Sequence, residues 1–289
     1  MLRRAAIGIF LTSFFSLVAP AASFSGTSAL EFTRRITAYG PHASGSTAIG
    51  RVRAYVEAQA KTQGWSVTED SFVARTPNGP VKMANIVAHL TGHTSRALVF
   101  TGHYDTRARA GFLGANDGGS SAGFLLELAR VLPRENRNDD IYLVWFDGEE
   151  AVREWTDTDS LYGSRHMVRQ WANDGTLARI KALINVDMIG DKDLDILRDG
   201  NSSPALNDLL LQTARSLGYG QYFQNDLSRI EDDHLPFRQA GVDALDIIDY
   251  DYGPNNSYWH TNQDTMDKLS AHSLEAVGAV LLEMRRRLD

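Results

Sequence analysis

The sequence predicts one α/β domain of three layers, α/β/α, around a mixed and mostly parallel sheet. Two observations predict it. Apolar runs of strand length alternate along the chain with stretches of helical period. Those runs are continuously apolar rather than alternating, as expected of strands covered by helices on both faces. No internal repeat, low-complexity tract or linker interrupts the pattern. The 289 residues therefore read as a leader, 1–21, and a single domain, 22–289.

The elements follow in order. Residues 1–22 carry two arginines, an apolar run to Val18 and then small residues. This is the layout of a secretory signal peptide, with a cleavage site at Ala19-Pro20-Ala21. The run is shorter than the ~20 residues that span a bilayer, so a secreted or periplasmic protein is expected, off the membrane after cleavage. Ile49, Val52, Tyr55 and Val56 follow a helical period after the turn at 42–46, and Trp65 and Val67 alternate with polar residues as in an edge strand. Strands are expected at 97–100, 141–146, 182–186 and 244–248. Helices are expected at 124–132, 206–217 and 270–287.

Composition narrows the chemistry. The net charge of −7 disfavours a phosphate-backbone partner, which needs clustered positive charge, so no nucleic acid is expected. Cysteine is absent, which excludes disulfides, thiolate metal sites and cysteine nucleophiles. Any metal must be held by His, Asp and Glu.

Ligands of open α/β sheets bind beyond the carboxyl ends of the strands. The strand at 97–100 runs into His103 and Asp105, that at 141–146 into Glu149 and Glu150, and that at 182–186 into Asp187. The last strand is followed, after a loop, by Trp259 and His260. Asp117 sits on the loop before the helix at 124–132, where it could equally cap that helix. Two adjacent carboxylates at a sheet edge repel unless a cation is near, and Asp187 at a strand end would be costly if buried unpaired. Together, oxygen and imidazole groups without thiolate suit a catalytic zinc site, with three protein ligands and one open position.

These residues carry a resemblance. His103-x-Asp105, Asp117, Glu149-Glu150, Asp187 and His260 resemble the ligand pattern of co-catalytic zinc aminopeptidases. Narrower motifs resemble the glutaminyl-peptide cyclotransferases of that superfamily: Phe146-Asp147-Gly148-Glu149-Glu150-Ala151, Trp155, Asp159-Ser160-Leu161-Tyr162-Gly163-Ser164-Arg165-His166, Asp232-Asp233-His234-Leu235-Pro236-Phe237 and Trp259-His260-Thr261. The resemblance implies a zinc aminopeptidase-like fold, with Asp117, Glu150 and His260 as ligands of one Zn2+ and Glu149 as general acid/base. It also implies that Asp187 and Asp232 hydrogen-bond around that base and the leaving group, and that Trp155 and Trp259 wall the substrate pocket. The implied substrates are peptide and protein N-termini beginning with Gln, converted to pyroglutamate with release of ammonia; a monomer is expected. The disulfide of secreted animal members is missing, its matching positions being Gly102 and Ala122. The alternative is a secreted aminopeptidase with two zinc ions, in which His103 and Asp187 help to hold the second. A non-catalytic descendant is the third reading, disfavoured because every chemically needed position is filled.

Overall fold

The apolar run at 97–100 becomes the centre of a six-stranded sheet. In the computed structural model, which describes residues 23–289, β3 (Ala97–His103) pairs in parallel with β4 (Asp140–Phe146) on one side and β5 (Ile180–Asp187) on the other. β8 (Ala244–Ile248) extends the parallel part beyond β5. On the far side of β4 lie β2 (Gly79–Leu90) and the edge strand β1 (Ser66–Thr76), both antiparallel. The order is β1-β2-β4-β3-β5-β8, and a separate parallel pair is formed by β6 (Ile196–Asp199) and β7 (Phe223–Ser228).

Successive strand residues point to opposite faces, and each face has its own core. Leu98, Phe100, Leu143, Trp145 and Ile184 pack under α1 (Gly26–Thr37), α2 (Thr47–Thr62), α3 (Gly119–Val131), α5 (Pro204–Ser216) and α7 (Ala271–Leu288). Val99, Val144, Phe146 and Leu183 pack under α4 (Tyr162–Asp174) and α6 (His234–Gln239), through Met167, Trp171 and Phe237. The single three-layer α/β domain with a mixed, mostly parallel sheet is therefore what the chain forms.

The expected signal peptide lies outside the described residues. Among those described, no helix is long and apolar enough to cross a membrane. The short strands β6 and β7 went unread in the sequence, and so did α1, α4, β2 and α6, these four for physical reasons. α1 buries Ala29, Thr33 and Ile36, two of them small or polar, and α4 shows only Met167 and Trp171 as buried large apolar anchors after its first residue. β2 begins half-exposed at Gly79-Pro80, and α6 has only six residues. The helix expected from Phe124 starts at Gly119. Its first turn, Gly-Ser-Ser-Ala-Gly, has no large apolar side chain to announce it, yet every residue from Gly119 to Ala129 is buried.

Candidate active site

Because β4, β3 and β5 run in parallel, their carboxyl ends deliver Glu149, His103 and Asp187 to one rim. Gly148, at φ +76°, turns the chain sharply after β4, and a Cβ there would lie 2.6 Å from Met83 Sδ. The two glutamates that follow are pinned through their backbone. Glu149 N donates to Asp105 Oδ1 (3.2 Å) and Glu150 N to Asp105 Oδ2 (3.4 Å). Leu161 N donates to Glu149 O (2.9 Å) and Tyr162 N to Gly148 O (2.7 Å).

The Asp159–His166 motif thus acts by clamping this turn. Asp159 also accepts the N–H groups of Val152, Arg153 and Glu154 and the Tyr162 hydroxyl, at 2.7–3.0 Å, so it shapes the loop that presents Trp155. Asp105 belongs to neither of the ligand groups described next. Its carboxylate stands 3.5 Å from His103 Nδ1 and orients the glutamates, which corrects its inclusion in the ligand pattern.

Asp117 precedes Gly118, at φ +81°, where a Cβ would meet Asp105 O at 2.6 Å and His103 Cε1 at 3.1 Å. α3 has no side-chain cap, so Asp117 is free of the capping role. Its loop is held by Asp264, whose carboxylate accepts Asn116 N (2.7 Å), Asp117 N (3.1 Å) and the Tyr252 hydroxyl (2.9 Å). One oxygen of Asp117 lies 3.3 Å from His103 Nε2 and the other 3.3 Å from His260 Nε2. Glu150 Oε1 lies 3.4 Å from the same His260 nitrogen.

Two groups of three donors result, Asp117–Glu150–His260 and His103–Asp117–Asp187, each with its ligand atoms within 4.8 Å of one another. Asp117 Oδ2 and both Glu150 carboxylate oxygens are buried without a hydrogen bond. Orphaned anionic oxygens converging on an imidazole nitrogen are what a divalent cation satisfies. Burial, with repulsion from Asp117, pushes Glu150 up to about 7. For Asp117, burial also acts upward, but contacts with His103 and His260 overcome it and hold the carboxyl below its usual range.

Glu149 is buried beside this set, and burial, reinforced by repulsion from Asp232, Glu150 and Asp233 against the attraction of His103, raises its pKa well above the usual glutamate range. Asp232 is raised to about 6 by burial and by Asp187. The structure brings Asp187 and Asp232 to the same cavity as Glu149. Among the described residues, however, no hydrogen bond joins either to the Glu149 carboxyl. Asp187 Oδ1 instead takes His103 Nε2 (3.1 Å), Ser121 Oγ (3.2 Å) and its neighbour Met188 N (2.8 Å). Behind Asp232, fully buried His234 stands 3.2 Å from Asp199 and 3.7 Å from Asp246.

The cavity of about 620 Å³ is lined by Asp117, Glu149, Asp187, Asp232 and His260, with Trp155 and Trp259 on its walls. His103 and Glu150 are buried behind that surface. Trp259 stacks on His260 (centroids 4.1 Å), and Trp155 Nε1 donates to Glu231 Oε2 (3.1 Å). Residues that the sequence did not announce also line it, among them Arg107, Arg229, Glu231 and Tyr250 beside the apolar Met188, Ile230 and Ile248. Arg107 Nη1 approaches His260 Nδ1 at 2.9 Å, and Tyr250 packs on Trp259 at 5.1 Å. The signal of the four polar residues was weak because each lies on a loop with no apolar period around it.

The loop at 249–260 ends in a residue of positive φ, His260 at 52°, and is anchored at its start by Asp249, whose Oδ2 accepts Asp195 N (3.0 Å). Burial, with repulsion from Asp191 and Asp195, lifts Asp249 to about 8. A carboxyl raised above its unfolded value of about 3.9 contributes stability that is full below that value and lost as pH rises through about 8. Asp249→Asn, which stays neutral, is therefore expected to lose less melting temperature than the parent between about pH 5 and about pH 9. Thermal melts of both proteins across that range check it, and equal slopes would refute the assignment.

Comparisons with known proteins give the family and the fold. Residues 85–285 match peptidase family M28. The chain is 34% identical, over 252 residues, to the glutaminyl-peptide cyclotransferase of Drosophila melanogaster, covering 78% of this chain and 70% of that protein. The crystal structure of an Acidobacteriales bacterium glutaminyl cyclase superposes with a TM-score of 0.90 at 41% identity, over 96% of this chain and 99% of the other. A leucine aminopeptidase precursor from Bacteroides thetaiotaomicron superposes with a TM-score of 0.83 at 26% identity, over 92% and 98% of the two chains. With its sheet, its paired glutamates and its clamped Trp155 loop, the chain belongs to peptidase family M28, among the glutaminyl-peptide cyclotransferases of that family.

Proposed function

We propose that the protein is a zinc-dependent glutaminyl-peptide cyclotransferase, exported to the periplasm or the medium by residues 1–21 and acting as a monomer on N-terminal glutamine. The observation that carries this reading is one arrangement: Asp117, Glu150 and His260 converge with unsatisfied oxygens beside buried Glu149, at the floor of a cavity walled by Trp155 and Trp259. Three oxygen and nitrogen ligands suit a single zinc with an open position. The chemistry that a zinc ion supplies when bound there is Lewis acidity toward the substrate's γ-carbonyl oxygen.

The chain's own residues do the rest. The two indoles hold the glutamine side chain folded back on its own α-amine, so nucleophile and electrophile meet within one residue. Glu149 takes a proton from the α-amine as its nitrogen bonds to the γ-carbon, and returns a proton to the departing nitrogen as the C–NH₂ bond breaks. The products are a five-membered lactam and ammonia. Asp187 and Asp232, on the same cavity, are assigned to hydrogen-bond around Glu149 and the leaving group once substrate enters.

Mass spectrometry on paired peptides tests the reaction. A peptide beginning with Gln is expected to lose one ammonia while a peptide beginning with Leu stays intact, and removal of Leu with an unchanged Gln peptide would overturn the reading.

A second reading, a two-zinc aminopeptidase, is favoured by one specific observation. His103 and Asp187 form a further donor group with Asp117, whose two oxygens face the two histidines. Asp187→Asn separates the two. With one zinc it is expected to lower the rate and leave metal near one equivalent, whereas with two zinc ions it costs a whole ion. Metal quantification on parent and variant decides between them.

A further inference from the structure

The cavity is larger than its chemical floor needs. Asp117 and His260 belong to one compact donor group, and at about 620 Å³ the cavity lies in the middle of the range that holds whole drug-sized ligands. A single glutaminyl residue leaves much of it unfilled, so the residue that follows glutamine also enters. Besides the site residues, the charged groups of the lining are Arg107, Arg229 and Glu231. Glu231 is occupied by the Trp155 indole. Arg107, the other lining cation, is occupied by His260 and stands 3.8 Å from Glu150.

Arg229 is different. It is exposed, lines the cavity, and among the described residues has neither a salt bridge nor a side-chain hydrogen bond. Its stem passes beside Gly200, where a Cβ would come within 3.2 Å of Arg229 Cγ. A guanidinium at a pocket wall with its side-chain donors free is matched by a carboxylate, which it can take in a two-pronged fork.

We infer that Arg229 forms a carboxylate subsite beyond the glutamine pocket, so that the enzyme favours Gln-peptides bearing a carboxylate just after the first residue. The inference rests on the cyclotransferase reading and names its substrate class. The carboxylate can come from an acidic second side chain or from the free C-terminus of a dipeptide. Both offer the same two oxygens to the fork.

Steady-state kinetics on two matched pairs tests it: Gln-Glu-Ala-amide against Gln-Gln-Ala-amide, and Gln-Ala free acid against Gln-Ala-amide. The carboxylate partner is expected to show a KM lower by about twofold to fivefold, the range of an exposed ion pair, with kcat unchanged, since binding is gained equally in ground and transition states. The gain should shrink at high salt, vanish in Arg229→Gln and survive in part in Arg229→Lys. A gain in only the first pair assigns the subsite to the side chain, and in only the second to the C-terminus. No gain in either pair, or one that persists in Arg229→Gln, overturns the inference. The same peptides titrated calorimetrically into Glu149→Gln protein read the subsite without turnover. Failure to cyclise any of the four would count against the reaction, while equal binding within both pairs would count against Arg229.

Discussion

Glu149→Gln is expected to keep the fold and the metal while turnover of a Gln-peptide falls by about a hundredfold to ten-thousandfold, the contribution of a positioned proton carrier. The substitution is nearly isosteric. The backbone that places this side chain is held by Asp105 and by Leu161 N, none of which changes. Stability should hold or rise, because the parent side chain is buried against Asp232, Glu150 and Asp233, and an amide removes that repulsion. The measurement is kcat and metal content on the same preparation, with a thermal melt alongside. Normal zinc with near-parental turnover would remove Glu149 from the role of acid/base, and loss of zinc would mean that it is a ligand.

His260→Ala and Asp117→Ala are expected to abolish activity by a different route, through loss of the metal itself. Each contributes one of three converging donors, and two remaining ligands make a poor site. The loss should exceed the about 10–100-fold cost in affinity of altering a residue that only orients a ligand. Asp264 provides that comparison, since it holds Asp117 through backbone N–H groups alone. Asp264→Asn should therefore weaken zinc binding within that smaller range and recover activity at raised zinc, while the two ligand variants should not. Chelator-treated parent protein should lose activity and regain it with zinc. Retention of full metal by both Asp117→Ala and His260→Ala would disprove the assigned ligand set.

The cores of the strands were legible because a parallel strand covered on both faces has to be apolar at every position, and such runs stand out locally. The site residues at strand ends were legible for the same reason. His103, Glu149, Glu150 and Asp187 each follow an apolar run directly, so their place on the rim follows from the strands alone. The Trp155 and Asp159–His166 stretch was legible only as a motif, and its physical work, clamping Gly148 and Glu149 by backbone hydrogen bonds, has no local signature. α1 and α4 were missed because their buried faces carry mostly small or polar residues, Ala29 and Thr33 in α1 and Gly163 and Ser164 in α4, so no group of large apolar side chains marks them.

By itself, then, the sequence determined the layered α/β architecture and the residue types that meet at its rim, since both depend on short-range pattern. Tertiary structure alone decided how those residues are used. It set Asp117 between two histidines, turned Asp187 toward His103 and Ser121, and gave Asp105 and Asp264 to orientation. It also drew Arg107, the loop of Arg229 and Glu231, and Tyr250 into one cavity. These are contacts between residues tens to more than a hundred positions apart. The closing of the sheet fixes their distances, and no local run of residues encodes them.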